Sequence, residues 1–215
     1  QRGEYEQSTK VVEQIHKLKA HYPHVRELAS TYNILSGLVL PFKESYDYCI
    51  AQHQKGYEIG LESGEIARAV IGLNNILFLK FSKGDRLKLV QEQADYSIKI
   101  SRRKAVFVPH GNNIPKLVKA LMESGESGSE ALDESAFSTA YLNKIKGSLH
   151  EYNLLHYRSE LAFWYGDQQK SLGISRFTHD RQSGTSKFSC YTDHLIQYGL
   201  LLVSTGNQGV NDSDD

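Results

Sequence analysis

The feature that most constrains this chain is the near-unbroken recurrence of apolar residues at steps of three and four. That period lines them along one face of an α-helix and does not fit the alternation of a half-buried strand. It is cleanest in Phe42, Tyr46, Cys49, Ile50, His53, Tyr57 and Leu61. Earlier segments show it in Val11, Val12, Ile15 and Leu18, and in Val25, Leu28, Ala29, Tyr32, Leu35 and Val39. Later ones show it in Ile66, Ala69, Val70, Leu73, Ile76 and Leu77, and in Leu87, Val90, Ala94 and Ile98. Beyond these, a short helix carries Leu117, Val118, Leu121 and Met122 on one face, with Pro115 near its first turn. A long helix is expected over roughly 138 to 165, another from Gln168 to about Phe177, and a last one through Phe188, Tyr191, Leu195, Tyr198 and Leu202. Ala105-Val106-Phe107-Val108 is the one β-like run, and four residues before Pro109 cannot build a sheet alone.

The punctuation agrees with helices. The four prolines fall between periodic segments or in a first turn, where a missing N–H costs least. Gly60 and Gly64 close the third segment, as glycines at helix C-termini do. Lys83-Gly84-Asp85 closes the fourth, with Asp85 expected to cap the fifth, and Tyr165-Gly166-Asp167 repeats the pattern. Gly64, Gly84, Asp85, Gly166 and Asp167 are therefore the structural turn positions. Gly84 and Gly166 stand 82 residues apart, about twice the period of a helical-hairpin repeat. A single hairpin cannot bury its apolar face, so such units stack. The expected fold is all-α, a right-handed array of antiparallel helical hairpins. Hairpins are expected over 1–122 and 137–203, separated by a flexible Gly/Ser/Glu linker at 123–136, with a disordered acidic tail at 204–215.

Charge and cysteines bound the function. The 215 residues hold 25 basic and 25 acidic side chains, so no global field draws the chain to nucleic acid or an anionic membrane. The local run Arg102-Arg103-Lys104 sits where a helix should end and complements the helix dipole. Cys49 and Cys190 form neither a zinc pattern nor a disulfide framework, and reduced thiols in a cytoplasmic protein are expected. Apolar runs fall short of the roughly 18 residues that span a bilayer, and, with a polar N-terminal stretch, no secretory signal is expected. The first residue is Gln1 and Met122 is the one methionine, as expected of a piece cut from a longer polypeptide.

The candidate chemistry is thin, and no catalytic, cofactor-binding or metal-binding residue is expected. His150-Glu151 with His156 resembles a zinc motif, but histidines six apart are about 120° out of alignment on a helix. His150-Glu151 also resembles the phospho-acceptor pair of histidine kinases, yet Tyr152-Asn153-Leu154-Leu155 supplies neither the basic residue nor the proline that follow there. His150 stays a weak phospho-acceptor candidate. Cys49 and His53 share a face, but it is the apolar stripe, so packing is expected. His21 and His24 flank Tyr22-Pro23 and read as a surface turn. Gly125-Glu126-Ser127-Gly128 lacks the spacing of a nucleophile elbow. Tyr46, Tyr57, Phe78, Phe81, Trp164, Tyr165 and Tyr198 are expected mostly to pack, with some aromatics lining a concave peptide groove.

Four blocks carry a resemblance: Pro41-Phe42-Lys43-Glu44-Ser45, Tyr57-Glu58-Ile59-Gly60-Leu61-Glu62-Ser63-Gly64-Glu65, Leu161-Ala162-Phe163-Trp164-Tyr165-Gly166-Asp167 and His194-Leu195-Ile196-Gln197-Tyr198-Gly199-Leu200. With their spacing, residues 31 to 203 resemble the tetratricopeptide-like helical region of large multidomain signalling proteins. In these, serine/threonine kinase and STAND/AAA-type ATPase modules precede that region, and sensor histidine kinase or cyclase modules follow it. The resemblance implies a non-catalytic scaffold or relay whose partner is another protein or a neighbouring module of the same polypeptide. Two readings of other classes are histidine phosphotransfer at His150 and small-molecule sensing between hairpins.

Overall fold

The computed structural model describes residues 10, 13–15, 17, 20–22, 26–106, 110–122, 131–133, 137–180 and 198–203. Every regular element among them is helical: α1 (Leu28–Ile34), continued by a π-helical turn (Leu35–Val39) and a 3-10 turn (Leu40–Phe42), then α2 (Tyr46–Glu62), α3 (Ile66–Lys83) and α4 (Leu87–Arg103). There follow α5 (His110–Met122), α6 (Thr139–Ile145), α7 (Leu149–Trp164) and α8 (Gln168–Asp180), with residues 198–203 also helical. The chain divides into two compact units, Gln1–Gly111 and Asn112–Asp215. The expected tail at 204–215, most of the 123–136 stretch, and Phe188 through Leu195 of the last expected helix lie outside the described residues.

In the first unit α2 and α3 form the main hairpin, α1 packs on both, and α4 packs on α3. Glycines set how closely these helices approach. A Cβ added at Gly60 of α2 would stand 2.9 Å from the Ala69 Cβ of α3, and one at Gly56 would stand 2.8 Å from Tyr32 Cβ of α1. Real Cβ atoms do not approach so closely, so here backbone lies directly against the neighbouring helix. Around these crossings Leu35, Leu40, Cys49 and Leu79 form one core cluster, and Tyr57, Ala69 and Leu73 with Ile100 a second. Ser45 caps α2, its Oγ accepting from the Tyr48 N–H at 3.2 Å.

One turn geometry recurs. After α3, Gly84 takes φ +81°, its N–H donates to Phe81 O at 3.0 Å, and the Asp85 N–H donates to Lys80 O at 3.1 Å. After α7, Gly166 takes φ +81°, and the Gly166 and Asp167 N–H groups donate to Phe163 O and Ala162 O at 3.0 and 2.9 Å. After α4 the same pair of bonds runs from Ala105 to Arg102 O (3.2 Å) and from Val106 to Ser101 O (3.0 Å), with alanine at φ +52°. Each satisfies the last carbonyls of its helix by a left-handed residue just past the end. Asp85 is not the cap expected of it. It pairs with Lys83 at 3.1 Å, and Arg86 stands at the N-cap of α4 with no side-chain cap bond. Asp167 does cap α8, accepting from the Lys170 N–H at 3.0 Å.

In the second unit α7 packs on α8, and α6 packs on α7. The single long helix expected over 138 to 165 is in fact α6 and α7, broken by Gly147 at φ +71°. Ser148 then caps α7, accepting from the His150 N–H, and Glu151 accepts from the Gly147 N–H at 2.6 Å. This is the Ser-x-x-Glu start signal, which the apolar period on either side had concealed. Pro115 lies inside α5 rather than near its first turn. The helix starts earlier, over polar His110 to Asn113, which carry no apolar period. Within the expected linker, Leu132 is wholly buried, and Asp133 accepts from Lys170 at 3.1 Å and pairs with Arg158 at 3.6 Å.

Candidate functional site

One buried polar group lies where α1, α2 and α3 meet. Asn33 of α1 donates from Nδ2 to the Arg68 carbonyl of α3 at 2.7 Å. That bond turns its Oδ1 toward α2, where it accepts from His53 Nδ1 at 3.2 Å. Gly72 makes room for the amide, since a Cβ there would stand 2.7 Å from Asn33 Oδ1. One side chain therefore ties three helices together.

His53 is fully buried, and burial holds its imidazole down to about 4, against a smaller upward pull from the Ser36 backbone. Neutral and bonded through Nδ1–H, it turns Nε2 toward the π-helical turn, where Nε2 finds no partner of good hydrogen-bond geometry. A Cβ on Gly37 in that turn would stand 3.9 Å from Nε2 and 3.6 Å from Asn75 Nδ2. Single π-turns of this kind recur at functional positions in helices. Cys49, one turn earlier on α2, is equally buried, and burial with the nearby Glu44 raises its thiol to about 11. Both residues pack in the core, as their shared face implies.

A second buried cluster joins α7 to α8. Ser159 Oγ lies 3.0 Å from Ser171 Oγ and 2.7 Å from Ser175 Oγ, and Ser171 Oγ donates to Ser159 O at 2.9 Å. Three small hydroxyl side chains satisfy one another there and let the two helices cross closely. Nearby, Tyr165 donates to the Ala120 carbonyl at 2.7 Å, fixing the end of α5 to the end of α7.

The histidines singled out by sequence fall apart in space or serve helix ends. His150 is half-buried in the first turn of α7, and burial lowers its pKa. Its neighbour Glu151 is committed to the Gly147 N–H, so the pair acts as a helix start. His156 is buried two turns on, and no group of three or more His, Cys, Asp or Glu able to hold a metal occurs among the described residues. His21 is exposed and bonds through Nδ1 to the Lys17 carbonyl, while His24 lies outside the described residues. No helix among the described residues is long and apolar enough to cross a membrane.

Sequence reasoning missed the surface. Trp164, one of the aromatics expected mostly to pack, is 68% exposed at the tip of α7 with Phe163 edge-on to it. Leu89 and Tyr96 of α4 are 49% and 44% exposed, and Tyr96 OH meets Tyr57 OH of α2 at 3.1 Å. The apolar stripe Leu87, Val90, Ala94 and Ile98 already leaves Leu89 and Tyr96 off the buried face. Comparison of the chain with protein-family models, with curated proteins and with solved structures finds no match in any of the three.

Proposed function

We propose that the chain is an interaction scaffold, a tetratricopeptide-like stack of helical hairpins that holds or relays to a protein partner. The observation that carries this reading is the repeated stop. Among the described residues, left-handed turn residues fall at 64, 84, 105, 147 and 166; three steps are 20, 21 and 19 residues, and the step from 105 to 147 is 42, about twice as long. Helix-and-turn units of near-constant length are what a stacked repeat requires, and stacks use their extended faces to bind other chains. The buried polar side chains fit this use, since Asn33, His53, Ser159, Ser171 and Ser175 bond helix to helix. The resemblance to the helical regions of kinase- and ATPase-bearing signalling proteins suggests a neighbouring module or a protein of the same pathway as the partner.

The test is quantitative capture from a source lysate with the wild-type chain and a Leu89→Asp/Trp164→Asp variant as parallel baits. Both sites are exposed, so the variant should keep its helical circular dichroism. A protein retained by the first bait and lost by the second, and rebinding when purified, supports the scaffold. Identical captured sets from the two baits overturn it.

A further inference from the structure

We infer that the outer face of α4 is a docking site for an acidic peptide segment of a partner protein. This names the partner chemistry of the scaffold proposed above and rests on that reading. Leu89, Glu92, Tyr96, Lys99 and Arg103 recur at steps of three and four, so they share one helical face, and all are exposed. Val90, Ala94 and Ser97 are buried on the opposite side, so that face cannot serve a partner. Arg102 and Lys104 widen the basic end and are exposed as well.

These cations stand together, four within the six positions 99–104 at one helix end. Arg26 pairs with Glu65, and Lys83 with Asp47 and Asp85. Among the described residues, Lys99, Arg102, Arg103 and Lys104 have no ion pair, and neither have Lys55, Arg68, Arg86 and Lys88, so it is the clustering of the first four that marks them. Complementing the helix dipole accounts for one or two basic residues in the last turn. It does not account for Lys99 a turn earlier, nor for an exposed leucine and tyrosine on the same line. The chain's zero net charge also conceals an asymmetry: residues 1–111 hold 16 basic against 12 acidic side chains, and residues 112–215 hold 9 against 13.

The charge order along the face selects a peptide over a nucleic acid. A polyanion tracks a continuous basic stripe, whereas here exposed Lys88 is separated from the basic C-terminal end by Glu92 and Asp95. A short segment with carboxylates over Lys99 and Arg103 and an apolar side chain against Tyr96 and Leu89 matches it. Tyr96 is held for that contact by its bond to Tyr57. Steering by such a patch is dependent on salt.

The experiment is fluorescence anisotropy on the full chain with a labelled glutamate-rich peptide carrying one central phenylalanine. Its lysine-rich counterpart and an oligothymidylate of similar charge are the comparisons. The expected result is saturable binding of the acidic peptide at low salt, weakened about tenfold by Lys99→Gln/Arg103→Gln and unchanged by Lys55→Gln on α2. Tyr96→Ala should weaken it as well, while the lysine-rich peptide stays unbound. Tighter binding of the oligothymidylate, or equal binding to the Lys99→Gln/Arg103→Gln chain, overturns the proposal. Absence of acidic-peptide binding beside a specific partner in the capture experiment overturns this site and leaves the scaffold standing. Failure of capture together with tight acidic-peptide binding does the reverse.

Discussion

Replacing Ala105 with glycine should stabilise the first unit, although glycine for alanine beside a helix ordinarily does the opposite. Ala105 occupies φ +52° in the same two-bond turn that Gly84 and Gly166 make at +81°. A left-handed conformation costs a residue with a Cβ about 1–2 kcal/mol. Glycine removes that cost but adds about 0.4–1 kcal/mol through the greater freedom of the unfolded chain. The difference is a net gain of about 0.5–1 kcal/mol. Ala105 is exposed, so little packing is lost with its methyl group. Gly84→Ala provides the mirror image. A Cβ at Gly84 meets nothing within 4 Å, so its effect is conformational alone, and it should lose about what Ala105→Gly gains. Urea unfolding of the two variants, followed by circular dichroism with a shared slope, reads both changes. If Ala105→Gly destabilises by about 1 kcal/mol, as in a helix interior, the left-handed assignment at Ala105 is refuted, and with it the identity of the three turns.

Three further outcomes follow from buried contacts. His53 titrates near 6.5 when unfolded and at about 4 when folded, so the unfolded chain binds more protons between those values and stability falls as pH drops through that window. The loss is on the order of 3 kcal/mol; the difference in stability between wild type and His53→Gln, measured at pH 7 and at pH 4, should change accordingly, and a constant difference contradicts the assignment. Gly60→Ala forces a Cβ to 2.9 Å from that of Ala69 and should destabilise by about 1–3 kcal/mol in thermal unfolding, whereas Gly173→Ala, with nothing within 4 Å, should be neutral or stabilising. Ser159→Ala takes the hydroxyl partner from Ser175, while Ser171 keeps its bond to the Ser159 carbonyl, and should cost about 1 kcal/mol by chemical denaturation; a silent substitution would mean that the hydroxyls are satisfied otherwise.

The fold was legible where two signals coincided. At Lys83-Gly84-Asp85 and Tyr165-Gly166-Asp167 the apolar period stops and a glycine follows, and helices end at both. At Lys146-Gly147-Ser148 the period runs on, because Leu142, Ile145 and Leu149 keep steps of three and four, so the break was hidden. Ala105 carried no signal, since alanine in a left-handed turn defies its own propensity. The π-helical turn was equally opaque: one extra residue per turn leaves Leu35 and Leu40 both buried, as an α-helix continuing to Pro41 also could. The polar node was half legible. The period placed His53 on the buried face of α2, but nothing local marks Asn33, 20 residues away, as its partner. The α4 surface was hardest to read, because its charges resemble those of any solvated helix.

The Asn33 amide also sets how this unit can move. Its two bonds reach α2 and α3 from α1 in different directions, and Gly72 leaves the amide just enough room to make both. Sliding any of the three helices by one residue would shift a bonded atom about 1.5 Å along the axis, which strips a buried amide or imidazole of its partner. Shear between them is therefore expensive, and a push on α1 is delivered to α3 as rigid displacement. The three helices behave as one lever arm, whose compliance is left to the turns at its ends.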